Sequence, residues 1–355
     1  MCGTSSCCAV ARGRESNLCM NSNSSSRRRF LSRLALAGAA LPLTQIASAA
    51  KAEQPKHKGK IAVGDSAALP PPGPPSVIHA FSKVFQVFSY ADASALCAEA
   101  GFGGIDFTVR PGGHVEPEKA GTDLPRAVEA ARKAGLKTEV ITTAIVNARD
   151  PLTEPLLRTA AKLGIKQYRF GNLFYDAQRG IMGSLQRHKE DVKELEALNK
   201  SLGLHGCHQN HAGARVGSPI WDFYELIKDA DPRWIGVQYD ISHAMSEGGY
   251  SWPLGLKLIA PWIKCTDVKD FVWKQVPGKA TVENVPIGEG VVDFDGYFKL
   301  VRQLGIGGPI SIHFEHPPFT GAPKISMAEK RTLFLAGMKK DVQAIKNHLA
   351  KHRLS

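Results

Sequence analysis

Eight residues at the ends of four short apolar runs have the types and spacing to do chemistry together: Gln209 and His211, Asp240 and His243, Asp267 and Lys269, His313 and Glu315. Gln209, Asp240, Asp267 and His313 form a mixed oxygen and nitrogen donor set. Such a set suits one divalent ion, Mn²⁺, Zn²⁺ or Mg²⁺, with positions left for substrate oxygens. The competing reading is a metal-free pocket in which these groups pair with one another and with backbone. Asp240-x-x-His243 does not decide between them, because such a pair is more often a loop hydrogen bond. Lys269 beside Asp270 reads either as a salt-bridged strand end or as an inward lysine that holds a sugar oxygen or shuttles a proton. Arg169 offers a planar fork to an anionic or hydroxylated substrate, or an ion pair to Asp106. His114, after Gly112-Gly113, reads as a lid residue or an exposed one. Trp252 and Trp273 read as a platform for a sugar ring or as ordinary packing. Glu289, inside Gly288-Glu289-Gly290, touches substrate or closes a turn, and Asp293 reads as a helix N-cap.

These residues are far apart in sequence, so a repeated element must bring them together. From Val77 onward one unit recurs, a helix, a glycine and a short strand, with the glycines at 101, 135, 164, 203 and 305. Glycine just past a last helical turn accepts positive φ without strain. Strands alternating with helices imply crossovers and a parallel sheet. The pattern predicts eight strands, near 78–88, 104–109, 138–143, 166–170, 204–210, 234–240, 262–268 and 309–315. The sixth, within WIGVQYDISHA at 234–244, is apolar until its C-terminal tip, where barrels and open sheets keep their chemistry. Same-parity residues share a strand face. That groups Asp106 with Thr108 and Arg110, Gln167 with Arg169, Cys207 with Gln209 and His211, and Gln238 with Asp240. It also groups Cys265 with Asp267 and Lys269, and Ser311 with His313 and Glu315. Six polar tips of this kind converge only inside the mouth of a barrel. The prediction is therefore a single (β/α)8 TIM barrel over 77–350. An open doubly wound sheet is the alternative, but the glycine-rich phosphate fingerprint it normally carries is absent after the first strand.

The first 50 residues differ in kind. Ser26-Arg27-Arg28-Arg29-Phe30-Leu31, an apolar run from Leu34 to Leu43 and Ala47-Ser48-Ala49 are the parts of an export signal, of the twin-arginine type. The apolar run is too short to span a bilayer, which favours cleavage over a membrane anchor. Met20 is a second candidate start. The leader carries six arginines and one glutamate, leaving about +7 of the formal +12 to the rest of the chain with no basic cluster. That argues against a nucleic-acid partner. Four of the seven cysteines precede residue 20, and Cys97, Cys207 and Cys265 have no CxxC spacing, so no zinc ribbon or disulfide framework is implied. Residues 51–76, with the run Pro70-Pro71-Pro72-Gly73-Pro74-Pro75, read as a stiff linker or arm.

The order Gly-Cys-His-Gln-Asn-His (206–211), Tyr-Asp-Ile-Ser-His (239–243), Asp-Val-Lys-Asp (267–270), Gly-Glu-Gly (288–290) and Ile-His-Phe-Glu-His (312–316) resembles the sugar phosphate isomerase/epimerase family. Its xylose isomerase-like TIM barrel also houses ketose epimerases and type-IV endonucleases. The resemblance covers about 77–350. It implies a Glu, Asp, His, Glu metal set on the fifth to eighth strands, and a substrate-contacting histidine three residues after the Asp. Asp240 and His243 match. Gln209 stands where a Glu is expected, Asp267 where a His is, and His313 where a Glu is. Two glutamates that would flank an enediolate are therefore missing, which moves acid/base work to His313 and His211, with Glu315 and Lys269 assisting. Arg169, His243, His114, Trp273 and Glu289 are the expected substrate contacts. The first expectation is an exported, metal-assisted enzyme that moves a proton beside a sugar carbonyl, with a small carbohydrate as partner and homo-oligomerisation left open. A lyase or hydratase acting on 3-keto-glycosides is the runner-up, and a non-catalytic carbohydrate-binding barrel the alternative from another class. A free ketose or a 3-keto-glycoside as sole substrate separates the first two; sugar binding without hydrogen exchange marks the third. An endonuclease needs more His and Glu than can be placed.

Overall fold

A computed structural model describes residues 76–321 and 324–354. The predicted leader (1–50) and all but the last residue of the predicted arm (51–76) lie outside the described residues. Eight strands carry the frame: β1 (Ile78–Phe81), β2 (Gly104–Val109), β3 (Val140–Thr143), β4 (Gln167–Arg169), β5 (His205–Gln209), β6 (Ile235–Asp240), β7 (Ile263–Val268) and, last, β10 (Ile310–Ile312). They pair in the order β1-β10-β7-β6-β5-β4-β3-β2 and close on themselves. Every pairing is parallel. Between them run helices α1 (Tyr90–Ala100), α2 (Ala120–Lys133), α3 (Thr153–Lys162), α4 (Gly180–Leu202), α5 (Ile220–Ile227), α6 (Ile241–Gly248), α7 (Trp252–Ile259), α8 (Phe294–Gln303) and α9 (Met327–Lys351). The predicted TIM barrel is the observed architecture.

The alternation of each strand builds the two sides of the wall. Ile105, Phe107 and Val109 of β2 are fully buried on one face, while Asp106 and Thr108 are fully buried on the other. Helix ends follow local chemistry. Ser89 caps α1 by accepting from Asp92 N, and α1 ends at Gly101 in the left-handed region (φ 95°). Ser326 and Glu329 form a reciprocal capping box at the start of α9. Among the described residues no helix is long and apolar enough to cross a membrane.

Two features depart from the sequence expectation. The first strand ends at Phe81 rather than near residue 88, because Ser82 Oγ accepts the Thr108 N–H at 2.9 Å and the chain turns into a 3₁₀ segment, Ser82–Val84. The second is an antiparallel hairpin directly after β7, β8 (Asp270–Val276) and β9 (Lys279–Val285). Its turn is Pro277-Gly278 with Gly278 at φ 80°. Proline then glycine at the two central turn positions is a readable signal, and the aromatic and β-branched run Phe271-Val272-Trp273 supports it.

Candidate active site

The wall register sets the deepest part of the site. Asp240, at the tip of β6, lies opposite Asp267 of β7, and Ser311 of β10 is also level with Asp267. His313 follows Ser311 by two residues and so shares its inward face. One ligand atom from each of Asp240, Asp267 and His313 lies within 4.8 Å of the others, and all three residues are buried. Their present partners test whether the donors suit a divalent ion. His313 Nε2 is buried without a hydrogen-bond partner and faces Asp267 Oδ1 at 3.3 Å. Asp240 Oδ1 caps α6 by accepting the His243 N–H at 3.0 Å, which leaves its second oxygen facing the cluster. One orphaned imidazole nitrogen and two carboxylates fit a borderline divalent ion.

Gln209 does not join them as a ligand. Its Nε2 donates to Asp240 Oδ2 at 3.0 Å and Asp267 Oδ2 at 2.7 Å, and its Oε1 accepts from Arg169 at 2.7 Å. Two carboxylates draw the N–H side of an amide toward themselves, so the side chain serves as a clamp. Gln238 Nε2 donates to the other oxygen of Asp267. Asn210, missed in the sequence reading, ties β5 to β6 by donating to Asp240 O at 2.9 Å and accepting from Asp240 N at 2.8 Å. Burial, with the nearby Asp267 charge, raises the Asp240 carboxyl against the opposing pull of Lys269.

Above this cluster Lys269 is buried and commits two of its three N–H donors. Its Nζ donates to Glu315 Oε2 at 2.8 Å and His243 Nε2 at 2.9 Å, and lies 3.6 Å from Asp240 Oδ2. Burial works against its charge, but Asp240 and Glu315 outweigh that and raise it. Glu315 is likewise opposed by burial and held well below the carboxylate range by Lys269, His313 and Lys83. It is thus an ionised anchor for Lys269, and Lys83 binds its other oxygen at 3.1 Å. The His211 and His243 rings lie 4.0 Å apart. His211 Nδ1 donates to Ala212 O at 3.0 Å, so a neutral ring presents a bare Nε2. Burial lowers its pKa to about 4, leaving it neutral.

Phe81 and Asp106 complete the interior. Phe81 stacks on His313 with centroids 4.2 Å apart. Asp106 accepts from Thr142 and Ser311 at 3.1 and 3.0 Å; burial, then the Asp267 charge, raises it to about 7. Phe81 was not singled out from sequence; Asp106 was placed in the mouth by strand parity but given no role beyond a pairing with Arg169. The signal for Asp106 was a carboxylate inside an otherwise apolar strand.

Four sequence candidates lie elsewhere. His114 packs between Tyr90 and Phe107, at 5.3 and 5.6 Å, and its Nε2 donates to Phe88 O. Phe107 belongs to the outward face of β2, so His114 is a packing residue. Glu289 is exposed and paired with Lys340 of α9. The reason is Asp270, whose two oxygens accept four backbone N–H groups, from Phe271, Gly288, Gly290 and Val292, at 2.9–3.1 Å. A Cβ at Gly290 would sit 2.2 Å from Asp270 Oδ1. Gly-Glu-Gly is thus a turn wrapped on a buried carboxylate, with Glu289 pointing away. Trp273 is exposed on the hairpin against Phe271, and Trp252 is buried against Tyr297. A second group, Asp295 of α8, His348 of α9 and His352 just past it, lies on the outside of the barrel, where Lys351 also binds Asp295 at 2.6 Å.

Comparison with solved structures extends the description of the fold. An L-ribulose 3-epimerase is 16% identical with a TM-score of 0.59, over 78% of this chain and 96% of that one. A xylose isomerase domain protein from Planctomyces limnophilus is 13% identical with a TM-score of 0.59, over 79% and 100%. A 3-keto-D-glucoside 4-epimerase from E. coli is 13% identical with a TM-score of 0.55, over 79% and 100%. At these identities the likeness is one of fold. No curated protein sequence matches the chain. The xylose isomerase-like TIM barrel profile matches residues 94–334, most of the barrel and more than half of the chain, and the chain belongs to that family.

Proposed function

We propose that this barrel removes and returns a proton on the carbon beside a sugar carbonyl, as an isomerase or epimerase. The observation that carries the reading is the orphaned His313 Nε2 facing two buried carboxylates within 4.8 Å, directly beneath a buried lysine. Asp240, Asp267 and His313 would hold a divalent ion, which when bound supplies charge to polarise the carbonyl oxygen. The remaining steps belong to the chain. His211, neutral and with Nε2 bare, is the base: the C–H bond breaks, the proton goes to Nε2, and the electron pair passes to the carbonyl oxygen as an enolate. The Lys269 ammonium, kept charged by Glu315, faces that developing oxyanion. His243 orients Lys269. Return of the proton to the same or the neighbouring carbon completes epimerisation or isomerisation. Assigning His313 to the ion leaves His211 as the acid/base residue. Arg169 lies beside this group for substrate contact.

The same enolate could instead expel a leaving group, which gives the lyase reading. The 3-keto-D-glucoside named for one structural neighbour makes 3-keto-glycosides the substrates to try beside free ketoses. The Ser-Arg-Arg-Arg-Phe-Leu leader supports export by the twin-arginine route, where glycosides are met more readily than metabolic sugar phosphates.

The test is hydrogen exchange from deuterated water into candidate sugars, together with the metal content of the purified protein and of Asp240→Ala. About one divalent ion per chain, lost in the variant, with deuterium entering beside the carbonyl, is the expected result. An ion-free protein that stays so after soaking in Mn²⁺ or Zn²⁺ overturns the metal part. Sugar binding with no exchange leaves a binding protein.

A further inference from the structure

We propose that Arg110 and Arg169 form an oxyanion subsite at the barrel mouth, so that the sugar accepted there carries a carboxylate or a phosphate. This deepens, and rests on, the reading of the mouth as a carbohydrate site. Arg110 follows β2 with the inward parity of Asp106 and Thr108, and Arg169 ends β4. The barrel brings their guanidinium carbons to 5.8 and 5.7 Å from the centroid of the same ring, Phe81. His313 is stacked on that ring at 4.2 Å, so the arginines mark a spot next to the proposed reacting centre.

Asp106 and Glu315 act on these cations only at a distance. Among the described residues neither forms an ion pair. Arg169 donates to the neutral Gln209 amide at 2.7 Å. Asp106, the partner the sequence offered for Arg169, is occupied by Thr142 and Ser311. Two other mouth cations are satisfied: Lys269 by Glu315 and Asp240, Lys83 by Glu315. Arg169 is only 7% exposed, and holding a buried cation beside another cation is costly unless an anion arrives. Burial and the Arg169 charge act against the Arg110 cation and outweigh the support of the Asp106 and Glu315 charges. Planar forks match carboxylate and phosphate oxygens in pairs of parallel hydrogen bonds. The sequence shows no basic cluster, yet two arginines distant in sequence come to the same ring through closure of the barrel.

The test uses the full chain, freed of metal with chelator so that the carboxylate cluster does not recruit anions through an ion. Calorimetry measures acetate and inorganic phosphate as minimal probes, on the wild type and on Arg110→Gln. Arg110 has no part in the Gln209 clamp, so this variant should melt with the wild type. Binding of at least one probe, weakened about 10- to 100-fold in the variant, is the value of one charge-assisted pair and is expected. No binding of either, or binding indifferent to Arg110→Gln, overturns the subsite. Glucuronate, glucose 6-phosphate and glucose then identify the source of the anion: a preference for the first assigns a carboxylate, for the second a phosphate. If all three sugars bind equally well, the subsite is refuted while the proton-transfer reading survives on its own exchange assay. If the simple anions bind through Arg110 and no candidate sugar shows exchange, the subsite stands and the proton-transfer reading fails.

Discussion

Gln209→Glu is the most informative single change, because it converts a clamp into a ligand. In the wild type the amide nitrogen lies 3.0 Å from Asp240 Oδ2 and 2.7 Å from Asp267 Oδ2. Hydrogen bonds to charged groups contribute about 1.5–3 kcal/mol each. Losing both costs about 3–6 kcal/mol, before repulsion among three carboxylates is counted. At roughly 2 °C per kcal/mol for a domain of this size, the metal-free variant should melt about 6–12 °C lower. The penalty has a definite pH sign. The new carboxyl, buried between two others, has a folded pKa raised above its unfolded value, so the native state binds the extra proton and stability falls as pH rises through that window. A divalent ion should reverse the effect, since a third carboxylate now ligates it. We therefore predict a large fall in Tm in EDTA, deeper at pH 8 than at pH 5, and recovery in Mn²⁺ beyond the wild-type gain. Scanning calorimetry with and without metal measures all three. A variant as stable as the wild type in EDTA would falsify the clamp, and an absence of metal rescue would refute the cage.

Other changes probe separate parts of the site. Lys269→Met keeps the stem and removes the charge facing the oxyanion; solvent exchange into substrate should drop about 10²–10³-fold, the worth of one such donor, and an unchanged rate would remove Lys269 from the chemistry. Asp270→Ala strips four backbone N–H groups of their acceptor, a loss of about 3–5 kcal/mol; limited proteolysis should begin cutting within 286–292, and Gly290→Ala should do the same because its Cβ would meet Asp270 Oδ1 at 2.2 Å. His316 donates to Asp341 Oδ2 at 2.8 Å. Burial opposes its charge, but that hydrogen bond and the Asp341 charge outweigh it and raise the pKa. Its stabilisation should be full below about pH 6.5, the unfolded value, and fade as pH rises through the folded one. Urea unfolding of wild type and His316→Phe should therefore converge at alkaline pH, and a gap that widens instead would reverse the sign.

Much of the molecule could be read from the chain because its signals are local. A glycine just past a helix, at 101 or 203 for example, reports the left-handed turn that ends it. Strand alternation sorts Asp106 from Ile105 and Phe107 without reference to any neighbour, because the two-residue period fixes opposite faces. Inward parity at six strand tips was enough to place Asp240, Asp267, His313, Lys269 and Glu315 around one mouth, which the closed barrel does. The Pro277-Gly278 turn was equally local and went unread.

What the sequence left open were choices among partners, which depend on distances between segments far apart in the chain. Parity put Gln209 in the mouth, but whether its amide ligates or donates depends on the two carboxylates across the barrel. Lys269 and Asp270 are adjacent charges that look like one pair, yet alternation sends them to opposite sides: Lys269 to Glu315 inside, Asp270 to the backbone of 288–292 outside. Glu289 and His114 had catalytic side chains in loops on the correct face, and packing turned both elsewhere. Arg110 and Arg169 show no cluster in one dimension and become a pair only when β1, β2 and β4 close around Phe81. Backbone periodicity determines which face a residue takes, and only tertiary closure decides what it meets there.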